Sequence, residues 1–300
     1  MIEVLPVAAP LGAEIRCGDV RNLDDGARAG LREALIAHLV LVIRDQALSD
    51  PELIAFGRAF GALDAAPLAY TDGHKERSHE EVIVVSNVKE GGIPIGVLGD
   101  AEDVWHSDNS YRETPLAASM LYGIEIPAGG GETGFVNMYL ALETLPSELR
   151  RAIEGRRLKH DATYNSAGVL RRGYLPTDDV RAAPGPWHPI VRTHPQSGHA
   201  ALYLGRRPNA YIEGLSVEAS EALLNALWAH ATRPQVAWHH TWRRGDVLVW
   251  DNRCVMHHRN PFDAAARRVM HRIQCKGERP FHDANSAVSG RHPRALVGAG

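Results

Sequence analysis

The sequence predicts a mainly β protein with flanking helices, arranged as a sandwich or jelly-roll barrel. Many short apolar segments are separated by turn chemistry such as Ala128-Gly129-Gly130-Gly131, and only a few stretches have helical periodicity. This pattern favours packed antiparallel sheets over a parallel α/β sheet. With 300 residues, 44% of them apolar, the chain can bury a large core.

The first 62 residues predict two strands and two helices in alternation. In order, these are an interrupted β segment from Val4 to Ile15, a helix from Asp24-Asp25 to His38, a strand from Leu39 to Ile43, and a helix opened by Asp50-Pro51 and ending near Phe60-Gly61. In the last helix we expect Asp50 to be the N-cap and Pro51 to occupy the first turn.

The segment from Ala62 to Asp103 is polar and rich in glycine, with one short strand at Val82 to Val85. Long polar loops beside a site are usual positions for lids that face the substrate. The loop from Leu68 to Gly99 is therefore either such a lid or an ordinary surface loop, and the sequence leaves both open.

From Trp105 onward, short strands predominate. The predicted strands are Ala117 to Tyr122, Gly134 to Asn137, His188 to Thr193, Ala200 to Leu204, Val236 to Trp242, Asp246 to Trp250 and Arg267 to Lys276. Two helices interrupt them, one at about Pro146 to Glu154 and one after Ser216. We expect residues 1–282 to form a single domain and residues 283–300, which are small and polar, to be a flexible tail.

Composition narrows the functional classes. The net charge of -3 gives no electrostatic case for nucleic acid. Cys17, Cys254 and Cys275 are widely spaced and form no CxxC step, which favours a reducing, cytoplasmic setting. The start lacks the pattern of a signal peptide, and no apolar run is long enough to span a membrane.

Two distant segments carry candidate metal ligands. His106 and Asp108 are two residues apart, so on a strand both side chains point to the same face. His257 follows the predicted strand Asp246 to Trp250. Two imidazoles and one carboxylate are the ligand set of a non-haem Fe(II) site, with positions left open for oxygen and a co-substrate. The alternative is a surface histidine followed by a carboxylate in a turn.

Two arginines strengthen the metal hypothesis. Arg268 and Arg272 are four apart on one predicted strand and therefore share a face. A guanidinium binds a carboxylate through two parallel hydrogen bonds. If both arginines face inward, they predict sites for two anionic groups, a 2-oxo acid and a substrate. The alternative is a solvated edge strand with its basic side chains outside.

Six motifs in order resemble the taurine dioxygenase and 2,4-dichlorophenoxyacetate dioxygenase family, over nearly the whole chain from Val4 to Pro280. They are Trp105-His106-Ser107-Asp108, Gly130-Gly131-Glu132-Thr133, His188-Pro189, Thr193-His194-Pro195, Trp250-Asp251-Asn252-Arg253 with His257, and Arg267-Arg268-Val269-Met270-His271-Arg272. The resemblance implies a double-stranded β-helix fold. It also implies an enzyme that uses Fe(II), 2-oxoglutarate and O2, and that hydroxylates a small substrate while releasing succinate and CO2.

The resemblance assigns roles by position. His106, Asp108 and His257 match the iron ligands, and His258 is expected to be turned away by strand alternation. Thr133 and Arg268 match the residues that hold the distal carboxylate of 2-oxoglutarate, and Arg272 matches the arginine that meets an anionic substrate group. The carboxylate at 108 favours hydroxylation, because halogenating relatives lack it. Family members are often dimers or tetramers, so a homo-oligomer is possible.

The substrate side differs from the taurine enzyme. Its substrate-binding histidine aligns with Ala66, and its partner asparagine aligns with Glu102. Tyr70 is the candidate for the missing aromatic residue. The resemblance therefore implies an anionic substrate other than taurine, with Arg272, Glu102 and Tyr70 as substrate-binding candidates.

Three other functions remain open at the level of sequence. The same cofactors support desaturation or ring formation on a natural-product intermediate, which product mass distinguishes from hydroxylation. A barrel with a degenerate metal site could bind a small ligand without turnover. A zinc hydrolase could use the same three ligands, although the paired arginines suit a dicarboxylic co-substrate better.

Overall fold

The computed structural model describes residues 2–65, 79–98, 103–164 and 169–288, and β-strands predominate in them. The helices are α1 (Asp25–His38), α2 (Asp50–Gly57), α3 (Met138–Glu143), α4 (Ser147–Ile153) and α5 (Val217–Ala231). The strands are β1 (Glu3–Pro6), β2 (Ala13–Arg16), β3 (Val40–Ile43), β4 (Ile83–Ser86), β5 (Lys89–Glu90), β6 (Ile93–Pro94), β7 (Val97–Leu98), β8 (Asp103–His106), β9 (Leu116–Glu125), β10 (Thr133–Asn137), β11 (Arg157–Lys159), β12 (Trp187–Pro189), β13 (Val191–Thr193), β14 (Ala200–Leu202), β15 (Tyr211–Ile212), β16 (Ala237–His240), β17 (Val247–Asp251), β18 (Val255–Arg259) and β19 (Val269–Lys276).

Two sheets position the site. The larger has eight strands in the order β1-β2-β3-β17-β9-β19-β4-β7, and the smaller has four in the order β16-β10-β18-β8. Pairing is antiparallel except between β2 and β3 and between β4 and β7. The prediction of a mainly β fold with flanking helices is confirmed.

Alternation along the central strands separates two apolar clusters. On β3, Val40 and Val42 belong to one cluster, whereas Leu41 and Ile43 belong to the other. The second cluster also contains apolar side chains of α1 and α2, so these helices cover one face of the larger sheet. The first cluster joins Val40 and Val42 to Phe135 and Val255 of the smaller sheet, so the other face of the larger sheet is turned toward the smaller sheet.

Helix ends follow local chemistry, with one correction. Asp24 caps α1 by accepting a hydrogen bond from the backbone N–H of Ala27. The expectation that Asp50 caps α2 is wrong. Ser49 is the N-cap, and Glu52 completes a capping box by accepting from the Ser49 backbone. The Glu52 carboxylate thereby satisfies the backbone donor of Ser49 at the start of the helix.

Several predicted strands change length, and several short elements were not predicted. β9 extends three residues beyond the predicted end at Tyr122, and the predicted strand from His188 to Thr193 is divided at Ile190. The elements that were not predicted are helix α3 and strands β5, β6, β7, β11, β15 and β18. Among the described residues, no helix is both long and apolar enough to cross a membrane.

Candidate active site

The two histidines lie side by side on paired strands of the smaller sheet. His106 ends β8 and pairs in register with His257 on β18. The Nδ1 atom of His106 lies 2.8 Å from the carbonyl oxygen of Val104. Because a carbonyl only accepts, Nδ1 carries the hydrogen and the Nε2 lone pair is available for a metal.

Asp108 reaches the histidines from a turn. The expectation that it lies on the same strand as His106 is wrong, because β8 ends at His106 and Asp108 lies in the turn that follows. Asn109, in that turn, has a left-handed φ of 51°. The side-chain amide of Asn252 accepts from the Asp108 N–H at 2.7 Å and donates to the Asp108 carbonyl at 2.9 Å. Asn252 therefore fixes the turn to the connection between β17 and β18.

The two oxygens of the Asp108 carboxylate have different neighbours. Oδ1 lies 3.6 Å from Nε2 of His106 and 3.9 Å from Nε2 of His257. Oδ2 accepts from the Ser119 hydroxyl at 2.7 Å and from the Gln274 amide at 3.2 Å, both on the larger sheet. The hydrogen bonds to Oδ2 orient Oδ1 toward the two imidazoles.

Electrostatics keep Asp108 and His257 in the protonation states that a metal requires. Burial alone raises the pKa of the Asp108 carboxyl, but Arg272 and the two imidazoles outweigh it and hold this pKa well below its usual range. Burial, followed by the neighbouring His106, lowers the pKa of His257 well below its ordinary value. The result is an ionised carboxylate beside a neutral imidazole.

The donor set fits a divalent transition metal. One ligand atom of each of His106, Asp108 and His257 lies within 4.8 Å of the other two, and all three residues are buried. Two imidazole nitrogens from neighbouring strands and one carboxylate oxygen from the turn after β8 match the facial arrangement of non-haem iron. His258 is directed elsewhere, since its Nε2 lies 3.0 Å from Nε2 of His239.

A small cavity adjoins His257, and Thr133, Arg268 and Arg272 line it. The Thr133 hydroxyl oxygen accepts from the Trp242 indole N–H at 2.9 Å, so its own O–H can donate into the cavity. Arg268 is 2% exposed, and its Nε has no hydrogen-bond partner within the described part of the chain. A buried guanidinium in that condition predicts an anionic ligand.

Arg272 stands between the cavity and the triad. Its Nη1 lies 3.4 Å from Oδ1 of Asp108, and its Nε has no hydrogen-bond partner among the described residues. Arg268 and Arg272 are both buried, and β19 lies between β9 and β4. The alternative of a solvated edge strand is therefore wrong.

Two contacts of Asp108, with Ser119 and Gln274, were not predicted from the sequence. Ser119 and Gln274 are paired across β9 and β19, and the available signal was a polar residue within each apolar strand. Gln274 also follows Arg272 by two residues and so shares its face. Glu102 and Tyr70, together with Ala66, lie outside the described residues.

Comparison with known proteins decides the family. The model of the taurine catabolism dioxygenase TauD, TfdA family matches residues 3–274. The chain belongs to this family.

Individual relatives agree with the family match. Pentalenolactone F synthase of Streptomyces arenae is 35% identical over 294 residues, covering 91% of this chain and 94% of the relative. The alpha-ketoglutarate-dependent 2,4-dichlorophenoxyacetate dioxygenase of Burkholderia sp. (strain RASC) is 34% identical, covering 80% and 82%. The crystal structure of a taurine dioxygenase from Burkholderia xenovorans superposes with a TM-score of 0.75 at 31% identity, covering 95% of this chain and 94% of that chain.

Family membership establishes the chemistry class. The protein is a dioxygenase that uses Fe(II), 2-oxoglutarate and O2. The donor set of His106, Asp108 and His257 and the buried guanidinium of Arg268 fit these groups.

Proposed function

We propose that this enzyme hydroxylates a small anionic organic molecule, with His106, Asp108 and His257 as iron ligands. Thr133 and Arg268 hold the distal carboxylate of 2-oxoglutarate, and Arg272 binds the anionic group of the substrate. The observation that carries the proposal is Oδ1 of Asp108, which faces both imidazole Nε2 atoms and Arg272 at the edge of a cavity that also contains Arg268.

Each side chain has a definite task in this proposal. When bound, iron and 2-oxoglutarate supply the activation of O2 and the oxidation of a C–H bond. Asn252, Ser119 and Gln274 orient the Asp108 carboxylate through hydrogen bonds to its backbone and to Oδ2. Thr133 and Arg268 give a carboxylate one hydroxyl donor and one guanidinium, which fixes the far end of the co-substrate.

The anionic character of the substrate rests on Arg272. Arg272 is buried, and its Nε has no partner among the described residues, so it can donate to an anion that enters the cavity. The relative named for 2,4-dichlorophenoxyacetate, a carboxylate, supports this class. Glu102 and Tyr70 remain proposed substrate contacts on the strength of the family resemblance.

The proposal also covers the fold, the domain, the location and the partners of the protein. We propose that the facing sheets form a double-stranded β-helix within a single domain of residues 1–282; most of the tail predicted from 283 lies outside the described residues. The three free cysteines, two of them buried, support a cytoplasmic location. Its partners are small molecules, with no nucleic acid or membrane, and a homo-oligomer, as in many family members, is part of the proposal.

Anaerobic titration of the metal-free protein tests the site. Addition of Fe(II) and then 2-oxoglutarate should give a weak visible charge-transfer band, and anionic candidates such as sulfonates, phosphonates and aryloxy acids should perturb it. Arg268→Ala should weaken the dependence of the band on 2-oxoglutarate. Absence of a band at saturating concentrations would contradict the proposed ligand set.

A second candidate function is desaturation or cyclisation of a natural-product intermediate. The 35% identity to pentalenolactone F synthase over nearly the whole chain favours it. The two reactions differ in product mass. Hydroxylation adds one oxygen atom, whereas desaturation removes two hydrogen atoms, so mass spectrometry of the product separates them.

A further inference from the structure

A buried histidine contacts the turn that carries Asp108 from a third sheet, which holds none of the three proposed iron ligands. His188 is the central residue of β12, in the three-stranded sheet β12-β11-β15. Its Nε2 lies 3.0 Å from the carbonyl oxygen of Ser110 and 3.0 Å from that of Arg112. Because a carbonyl only accepts, Nε2 carries the hydrogen and donates to both. The His188-Pro189 motif, which has no task in the proposed function, therefore meets the chain two and four residues after Asp108.

Different parts of the fold hold the two halves of this turn. In the first half, the Asn252 amide binds the backbone of Asp108. In the second half, the N–H of Arg112 donates to the carbonyl of Asn109 at 3.0 Å, and Asn109 has its left-handed φ of 51°. Local sequence alone holds such a conformation weakly, because it lies outside the regions that most residues prefer. The His188 donor fixes this second half, as Asn252 fixes the first.

Neighbouring rings hold the His188 imidazole in place. Its ring centroid lies 4.9 Å from that of His160 and 5.9 Å from that of Tyr203, both in edge-to-face contact and both buried. Burial lowers the pKa of His188 to about 4, so the ring is neutral at neutral pH, and its Nδ1 has no hydrogen-bond partner among the described residues. Burial of an unpartnered nitrogen costs free energy that an apolar residue would avoid. The feature that an apolar residue lacks is the Nε2–H donor.

We propose that His188 is a positioning residue for the metal site, whose Nε2–H fixes the turn after β8 and thereby the Asp108 carboxylate. The inference rests on the proposed role of Asp108 as an iron ligand. Without this donor the carbonyls of Ser110 and Arg112 lose a hydrogen bond, and the turn shifts to satisfy them elsewhere. Oδ1 of Asp108 lies 3.6 and 3.9 Å from the two imidazole Nε2 atoms, so a shift of the turn changes both distances.

The Mn(II) affinity of His188 variants, measured by electron paramagnetic resonance, tests the inference. His188→Phe keeps a buried ring without the donor and should bind Mn(II) about tenfold more weakly, the lower end of the range for partners that orient a metal ligand. His188→Gln supplies an N–H donor at similar reach and should restore most of the affinity. A histidine that only packs predicts the opposite order, because Phe preserves the ring contacts and Gln does not. Thermal melting confirms folding, and the more adaptable His188→Met replaces His188→Phe if the larger ring does not fit.

Two controls make failure interpretable. His230→Phe removes the same kind of hydrogen bond between α5 and α3, because Nε2 of His230 lies 2.9 Å from the carbonyl oxygen of Ala141. It should lose about 1 kcal/mol of stability, as His188→Phe should, and keep the Mn(II) affinity of the parent protein. Asp108→Ala is measured in parallel. Weaker binding in Asp108→Ala with parent-like affinity in His188→Phe, or equally weak binding in His188→Phe and His188→Gln, overturns this inference alone. Parent-like affinity in both Asp108→Ala and His188→Phe overturns the proposed ligand set as well.

Discussion

Two groups of buried ligand-type side chains lie in the described part of this protein, and they differ in what their lone pairs already do. In each group, one ligand atom per residue lies within 4.8 Å of the others. The first group is His106, Asp108 and His257, and the second is His194, Asp251 and Cys254. Proximity and burial alone therefore do not distinguish a metal site from a structural cluster.

In the second group, hydrogen bonds within the protein already occupy the lone pairs of His194 and Asp251. Nδ1 of His194 accepts from the backbone N–H groups of Gln196 and Ser197, so Nε2 carries the hydrogen and donates to Asp251 at 3.0 Å. Arg253 donates to both carboxylate oxygens of Asp251, at 2.8 and 2.6 Å. Neither the imidazole nor the carboxylate retains a lone pair directed at a common centre.

The Cys254 thiol of the second group and Oδ1 of Asp108 in the first group also differ in their readiness to bind a metal. Burial, and then the charge of Asp251, raises the pKa of the Cys254 thiol well above its ordinary value, so the thiol stays protonated in the metal-free protein. By contrast, the closest described side-chain donor to Oδ1 of Asp108 is Arg272, at 3.4 Å. A carboxylate oxygen without a short hydrogen bond therefore identifies the metal site, whereas the mere presence of histidine, aspartate and cysteine does not.

The largest expected effect comes from removing the open carboxylate. Asp108→Ala should lose substrate-linked succinate formation and weaken metal binding by more than about a hundredfold, the upper range for substitution of a ligand's hydrogen-bond partners alone. Mn(II) binding followed by electron paramagnetic resonance measures the affinity. Full turnover in this variant would show that Asp108 is not a required metal ligand.

The second group should respond to mutation in the opposite way. Asp251→Ala leaves Arg253 buried without its carboxylate and should cost about 3–5 kcal/mol in the free energy of unfolding. Urea denaturation measures this loss, while the metal stoichiometry should remain one per chain. Cys254→Ala provides the milder control, since it removes a ligand type without leaving a charge unpaired. A drop in stoichiometry in either variant would mean that the second group binds a metal.

Sequence patterns predicted the parts of the site that depend on alternation within one strand. Arg268 and Arg272 were placed on one face by their spacing, and both line the cavity. The turn that carries Asp108 was not predicted, because its geometry depends on the amide of Asn252 from a distant connection. Contacts of that kind are fixed by tertiary structure and leave no local periodicity.

The fold shows the same limit. Apolar segments predicted most strands, but the order of strands in the larger sheet places β17 between β3 and β9 and β19 between β9 and β4. Such pairings join segments far apart in sequence. For the same reason the opposition of Ser119 and Gln274 could not be read from either strand alone.

Substitution of Arg272 should have a smaller effect, on the affinity of the first group for a metal. Because its guanidinium lies against Oδ1 of Asp108, it acts as the counter-ion of the carboxylate in the metal-free protein. Arg272→Gln removes this competing positive charge and should raise Mn(II) affinity about tenfold in the absence of 2-oxoglutarate. The same variant should raise the KM for an anionic substrate. Weaker metal binding would show instead that Arg272 orients the carboxylate, and Arg267→Gln controls for the loss of one formal charge.

The smallest expected effect concerns the hydrogen bond that orients the open carboxylate. Ser119→Ala removes the 2.7 Å donor to Oδ2 but leaves the Gln274 amide in place, so Mn(II) affinity should fall about fivefold, below the usual range for such partners. Ser86→Ala is the matched control, because it removes a buried hydroxyl that accepts from the Val88 N–H and does not contact Asp108. Both variants should lose about 1 kcal/mol of stability, and only Ser119→Ala should lose metal affinity. Equal metal affinity in the two variants would show that Gln274 and Asn252 orient the carboxylate without the hydroxyl.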